Sequence, residues 1–189
     1  MNNVDLQARY GAIAADIQSI VFTQEQIEAR VCEIGRAIAQ DYAGRDPVLL
    51  GVLKGVVFFM ADLMRAIPLS VEMDFMAVAG YSSGPSGHGK VRLVKDLEID
   101  ISGRHVLFVE DVIDTGLTLN YLLGTLRARQ PASLEVCVLF DKPQKRLIEI
   151  PLRYKGFSLP DQFVVGYGLD HRERYRNLPF VGLLKASAL

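Results

Sequence analysis

The chain has no tryptophan, only two cysteines and no excess of either charge. Cys32 and Cys137 lie far apart, so they build neither a disulfide framework nor a metal-binding spacing, and both are expected as buried free thiols. His88, His105 and His171 also lack the spacing of a metal site. Lysine and arginine number 21 against 22 acids, a net charge of −1. That balance gives no general attraction to nucleic acid or to an anionic membrane, so any phosphate binding must be local. No apolar run approaches the ~18 residues of a membrane span, and no basic stretch leads into an apolar segment at the N-terminus. A cytoplasmic protein is expected. Internal repeats and long low-complexity segments are also missing.

What is present is 189 residues, half of them hydrophobic, enough for one domain with a substantial core. Residues 4–20 read as a weak first helix. Thr23 and Gln26 have capping-box spacing, and Ile27, Val31, Ile34 and Ile38 then recur at helical intervals until Gly44 and Pro47. Residues 48–53 form an apolar run of strand length, followed by the turn Lys54-Gly55. Val56, Phe59, Met60, Leu63 and Ile67 mark a second helix closed by Pro68. Residues 69–79 and 90–95 alternate as strands and flank the glycine- and serine-rich stretch 80–89, which makes a long hairpin. Strands are expected at 106–109, 134–140, 163–167 and 180–184, with a helix over 118–129 stopped by Pro131. Such alternation predicts an open α/β sheet, mainly parallel and covered on both faces, with ligands at the carboxyl ends of its strands.

Residues 106–118, Val-Leu-Phe-Val-Glu-Asp-Val-Ile-Asp-Thr-Gly-Leu-Thr, carry the chemistry. A buried strand empties through Glu110 and Asp111 into the tight turn Asp114-Thr115-Gly116, and Thr118 opens a helix. The first amides of a helix have no partners of their own and attract phosphate. The acids repel phosphate, so they imply something cationic or rich in hydroxyls beside it, such as Mg²⁺ and a ribose. A Walker A loop ends in Gly-Lys-Ser/Thr, whereas Leu117 stands here where the lysine would be. An ordinary acidic strand-to-helix loop, or an aspartate pocket of another Mg²⁺-binding protein, is the simpler alternative for this block taken alone.

The block matches the 5-phosphoribosyl-1-pyrophosphate (PRPP) signature of type I phosphoribosyltransferases and most resembles their hypoxanthine–guanine branch. A second match is the run from Leu159 to Pro179, with Phe-Val-Val-Gly-Tyr at 163–167. The resemblance extends from about residue 48 to 184. It implies a Rossmann-like core with a flexible hairpin lid and a small hood. The whole chain, 1–189, would be a single phosphoribosyltransferase domain, its PRPP core at about 23–140. The hood would come from about 142–189 plus N-terminal residues.

By the same resemblance, the backbone of 114–118, with the hydroxyls of Thr115 and Thr118, holds the 5-phosphate, Gly116 and Leu117 serving through their amides. Glu110 and Asp111 face the ribose hydroxyls, directly or through Mg²⁺. Asp114 aligns with the general base at the purine N7. Leu53, Lys54 and Gly55 match the pyrophosphate loop, where the peptide before the lysine is often cis. Tyr81 and Ser82 of the lid, and Arg176, would also contact pyrophosphate. Lys142 would donate to the purine O6, since an ammonium suits a carbonyl oxygen and disfavours an amino group. Phe163 would stack on the base, the Val164 backbone would read its edge, and Asp170 would hold a second Mg²⁺. Arg146 is a plausible phosphate partner.

The implied activity is transfer of the phosphoribosyl group from PRPP to N9 of hypoxanthine, with guanine as a second base, giving IMP or GMP and pyrophosphate. A xanthine- or guanine-preferring enzyme and a PRPP-sensing regulatory protein are the alternatives; the absence of a basic cluster disfavours a nucleic-acid-binding regulator. Relatives of this kind are dimers or tetramers, and Met60, Met64 and Met76 are candidates for such a contact.

Overall fold

The computed structural model describes residues 8–79 and 92–188. The 80–89 loop, with Tyr81, Ser82 and His88, and the lid built from it lie outside the described residues.

Six strands form the main sheet: β2 (Val48–Leu53), β3 (Glu72–Ala79), β4 (Arg92–Lys95), β5 (His105–Ile113), β6 (Ser133–Asp141) and β7 (Tyr154–Ser158). Their order is β4-β3-β2-β5-β6-β7, parallel throughout except for β4. Apolar runs such as Val48-Leu49-Leu50 suit strands buried on both faces. The pleat sends Leu49, Leu107 and Val109 to one face, and Val48, Leu50, Val106 and Phe108 to the other. On the first face lie α1 (Gln24–Asp41) and α2 (Val57–Ala66), which contribute Ile27, Val31, Ile34, Ile38, Phe59, Met60 and Leu63. On the second lies α3 (Leu117–Arg127), through Leu119, Leu122, Leu123 and Leu126. The capping box at the start of α1 is formed: Thr23 N–H donates to Gln26 Oε1 (2.9 Å), and Gln26 N–H donates to Thr23 Oγ1 (3.3 Å).

A second, three-stranded antiparallel sheet brings together distant parts of the chain, β1 (Ile17–Phe22), β8 (Val164–Val165) and β9 (Val181–Leu184), in the order β1-β9-β8. Ile17, Val165, Tyr175, Leu178, Phe180 and Leu184 give it a small core of its own. This sheet is the hood. Together with the main sheet it makes a Rossmann-like α/β core with a small hood.

Several expectations need correction. The helix expected over 4–20 is limited, in its described part, to short turns such as Ala12–Ala15, and Ile17–Phe22 is strand β1 because β9 offers it a partner. Strand β7 was not foreseen. It is short and contains Gly156, where a Cβ would run into the Leu139 carbonyl. It is an edge strand, and Arg30 of α1 covers it by donating to the carbonyls of Lys155 (2.6 Å) and Gly156 (3.2 Å). The expected strand at 163–167 shrinks to Val164–Val165. Met60 and Met76 are fully buried core residues on opposite faces of the sheet and so are not the self-association contact, whereas Met64 packs partly buried against the cluster that holds Met60. Cys137 is a buried free thiol, but Cys32 is exposed. No helix among the described residues is long and apolar enough to cross a membrane.

One buried acid, Asp74, fastens β3 to the segment after β4. Its carboxylate accepts from the amides of Phe75 (2.7 Å), Glu98 (2.6 Å) and Ile99 (3.2 Å), and Lys95 Nζ lies 3.4 Å away. Burial opposes its charge, but these donors outweigh burial and hold the carboxyl below the usual range. Asp74→Asn should therefore lower stability by about 1–3 kcal/mol at neutral pH. A depressed native pKa contributes stability that is complete above the unfolded value of about 3.9 and is lost as pH falls through the native one. The gap in urea midpoint between variant and wild type should thus close below about pH 4. A gap that stays constant into acid would contradict the assignment.

Candidate active site

The carboxyl ends of β2, β5 and β6 meet the hood, and the functional candidates gather there. Strand β5 does not stop at Val109, where its apolar residues end. Its ladder with β6 continues through Glu110↔Val138, Val112↔Phe140 and Ile113↔Asp141, so both acids lie within the strand. Adjacent side chains in a strand point to opposite faces, and the pleat separates the pair. Glu110 lines a cavity of about 230 Å³ with Thr115, Gly116 and Thr118. Asp111 lines one of about 170 Å³ with Lys142, Phe163, Val164, Asp170 and Arg176. Val112 and Asp114 border both.

Burial, and then the neighbouring charge of Asp111, pushes the Glu110 carboxyl well above the usual range, and its Oε2 has no partner among the described residues. Burial also raises Asp111, to about 6, against the opposing pull of the Val112 amide and Arg176. A sealed oxygen without a donor marks an incomplete site. Hydroxyls or a hard cation would complete it. Among the described residues no three of His, Cys, Asp or Glu converge on one point. The three acids expected to bind metal are divided, Asp111 and Asp170 on one cavity and Glu110 on the next. That division fits Mg²⁺, which takes one or two carboxylates and fills its remaining positions with water and substrate phosphates.

The turn after β5 is shaped by Gly116, whose φ of 81° is the left-handed conformation that glycine accepts freely. Helix α3 starts at Leu117 with no side-chain cap, leaving its first amides facing the 230 Å³ cavity region with Thr115 and Thr118. Thr115 Oγ1 accepts a long bond from the Leu117 amide (3.4 Å), and the Thr115 carbonyl accepts from Leu147 and Ile148. The segment beyond Lys142 is therefore docked beneath the turn.

Lys142, at the end of β6, is buried, with its Nζ 3.4 Å from the exposed Asp114 carboxylate. Phe163, by contrast, is 44% exposed on the rim of the same cavity, and its ring meets His171 edge-to-face at 5.2 Å. Arg146, expected as a phosphate partner, pairs with buried Asp141 at 2.7 Å and has its Nη1 close to Gly116 of the turn. A cis peptide joins Leu53 to Lys54. Gly55 follows, and a Cβ there would collide with Asp111 Oδ2; Gly168 packs just as closely against the Gly55 carbonyl. Arg176 donates to the Gly168 carbonyl (2.8 Å) and pairs with Asp170 (2.9 Å). Glu173, which no sequence motif singles out, lies 3.1 Å from Lys54 and 3.4 Å from Arg176.

The chain resembles known proteins over most of its length. Residues 18–172 match the family model described as the phosphoribosyl transferase domain. The hypoxanthine-guanine phosphoribosyltransferase of Mycobacterium avium is 51% identical over 175 residues, covering 89% of this chain and 86% of that one. A hypoxanthine phosphoribosyltransferase structure from Staphylococcus aureus superposes with a TM-score of 0.90 at 40% identity, covering 94% of this chain and 97% of the other. A ternary substrates complex of a Trypanosoma cruzi hypoxanthine phosphoribosyltransferase mutant gives 0.87 at 39% identity, covering 92% and 98%.

The closeness of Gly55 to Asp111 yields a test. Gly55→Ala must push the Lys54 loop or the Asp111 carboxylate aside, and a displacement of about 1 Å in such a site is expected to reduce turnover by about a hundredfold. The far-ultraviolet circular dichroism spectrum should be retained. Near-normal turnover would show that the close approach is not needed.

Proposed function

The chain belongs to the type I phosphoribosyltransferases, in the hypoxanthine–guanine family, and from that membership we propose that it joins 6-oxopurines to the ribose of PRPP. It is a PRPP-dependent purine phosphoribosyltransferase, and our reading assigns hypoxanthine as its base, with guanine the second. The products are IMP or GMP and pyrophosphate. The observation that carries this reading is the buried Lys142 ammonium beside Asp114, in one cavity with the exposed Phe163 ring.

Each side chain then has a task set by its chemistry. Phe163 stacks on the purine, a contact worth about 1–3 kcal/mol where aromatic rings hold bases elsewhere. The Val164 backbone meets the ring edge. Lys142 offers only donors, so it pairs with O6 and leaves an adenine amino group opposed by another donor. Asp114, bordering both cavities, receives the N7 proton as N9 attacks C1 of the ribose. The amides of 114–118 and the hydroxyls of Thr115 and Thr118 take the 5-phosphate at the start of α3. Lys54, Gly55 and Arg176 face the pyrophosphate that departs, and Tyr81 and Ser82 belong to the lid in the same reading. Asp111, Asp170 and Glu110 supply the carboxylates for Mg²⁺, which when bound offsets the charge of the phosphate oxygens. Self-association as a dimer or tetramer is part of the same proposal, and exposed Val57 and Phe58 at the start of α2 offer it apolar surface.

Pyrophosphate release with PRPP and Mg²⁺, measured separately for hypoxanthine, guanine, xanthine and adenine, tests the reading. Turnover with hypoxanthine and none with adenine is expected; turnover with adenine alone would overturn it. In the same assay Asp114→Asn should leave PRPP affinity within a few-fold while lowering turnover roughly a hundredfold or more. Near-normal turnover would remove Asp114 from the role of base. Lys142→Ala should reduce discrimination against adenine by roughly ten- to a hundredfold, the worth of one hydrogen bond to a charged donor. Unchanged discrimination would place the selector elsewhere.

A further inference from the structure

Between β8 and β9 the backbone enters the left-handed region repeatedly, with positive φ at Gly166, Tyr167, Gly168, Arg172, Glu173 and Tyr175. Within this stretch His171 and Arg174 exchange two backbone hydrogen bonds, His171 N–H to the Arg174 carbonyl (3.3 Å) and Arg174 N–H to the His171 carbonyl (3.0 Å). Arg172 and Glu173 are the two residues between them, at φ of 53° and 64°. Two successive positive φ values define a turn that favours Asn-Gly and disfavours longer side chains. Local propensity therefore argues against a glutamate at 173. Its surroundings argue for one.

The Glu173 amide donates to Asp170 Oδ2 (2.9 Å), which fixes the turn over the site. Its carboxylate Oε2 then reaches Lys54 Nζ at 3.1 Å and Arg176 Nη2 at 3.4 Å. Lys54 belongs to the turn after β2, and Arg176 precedes β9, so one carboxylate ties together two loops remote in sequence. These two cations are the ones assigned above to pyrophosphate. Lys54 first, and then Arg176, hold the Glu173 carboxyl below its usual range, so it is charged at neutral pH.

We propose that Glu173 is a built-in stand-in for pyrophosphate: its carboxylate occupies Lys54 and Arg176 while that subsite is empty, and it competes with pyrophosphate for them. The inference rests on the assignment of Lys54 and Arg176 to pyrophosphate. Without Glu173, Lys54 would stand unpaired and be repelled by Arg176, which Asp170 alone would hold, and the two would lose the alignment that a polyanion needs. Glu173 preserves that alignment, because Arg176 Nη1 stays anchored on the Gly168 carbonyl while its Nη2, shared between Asp170 and Glu173, and Lys54 meet one carboxylate. An incoming pyrophosphate group exchanges one carboxylate for several phosphate oxygens at the same donors. When pyrophosphate departs, the carboxylate returns. Glu173 thus favours release of a multiply charged product that two cations would otherwise retain.

The test is product inhibition. Glu173→Gln keeps the shape of the side chain and removes its charge. At fixed PRPP and Mg²⁺, the inhibition constant for pyrophosphate should fall roughly three- to fivefold, the range expected for loss of one exposed ion pair, and Glu173→Asp should restore wild-type inhibition. Structural damage weakens binding, so tightening cannot arise from a misfolded site. Unchanged or weaker inhibition in Glu173→Gln overturns the proposal. Should that variant turn over slowly, calorimetric titration with magnesium pyrophosphate reads the same affinity. Lys54→Met separates the two levels of the argument. Weaker pyrophosphate binding there, beside no change in Glu173→Gln, refutes the stand-in alone. Unchanged binding in Lys54→Met removes the pyrophosphate assignment itself.

Discussion

The two-residue alternation of β5 is the constraint on which the site depends. The strand runs on for four residues past its apolar segment, held by the ladder to β6. Because it stays a strand, Glu110 and Asp111 face opposite ways and open two cavities where a loop would have given one. Asp114, just beyond the last ladder pair, borders both. A one-residue slip of β5 against β6 would reverse every one of these directions. The apolar residues upstream prevent it, since Leu107 and Val109 fit one core and Val106 and Phe108 the other. Core packing thus fixes the aim of the carboxylates at the far end of the same strand.

The site balances charges of both signs at short range. Asp111 and Glu110 are too enclosed to be comfortable as anions. Lys142 is buried beside Asp114, and Arg176 is shared between Asp170 and Glu173. Each cation has an internal anion within reach, so the protein tolerates these groups when nothing is bound. Ligands of either sign then enter by exchanging partners and create no isolated charge.

Much of this was legible in the sequence wherever the cause was local. Thr23 and Gln26 announced the start of α1, the run 48–53 gave β2, and Asp114-Thr115-Gly116 marked the turn into α3. What escaped depended on distant partners. Ile17–Phe22 has no strand signal of its own and becomes one through β9, more than 150 residues on. Glu110 and Asp111 look like the end of a strand until β6 is seen to pair beyond them. Glu173 was invisible because its importance comes from a left-handed turn that its own residue type disfavours. The pairing of Arg146 with buried Asp141 was likewise revealed only by folding.

The antiparallel hood has a consequence for the order in which the molecule can assemble. Each strand of the main sheet through β7 finds its neighbours among residues made by position 158. Strand β1 is different: among the described residues its partner in the sheet is β9, and β8 is attached through β9 as well. As the chain leaves the ribosome, the main sheet can therefore form while β1 waits unpaired for residues 181–184. Chains synthesise and fold from the N-terminus onward, and strands left without partners are exposed to misassembly in the interval. The hood closes last, when β1 meets β9.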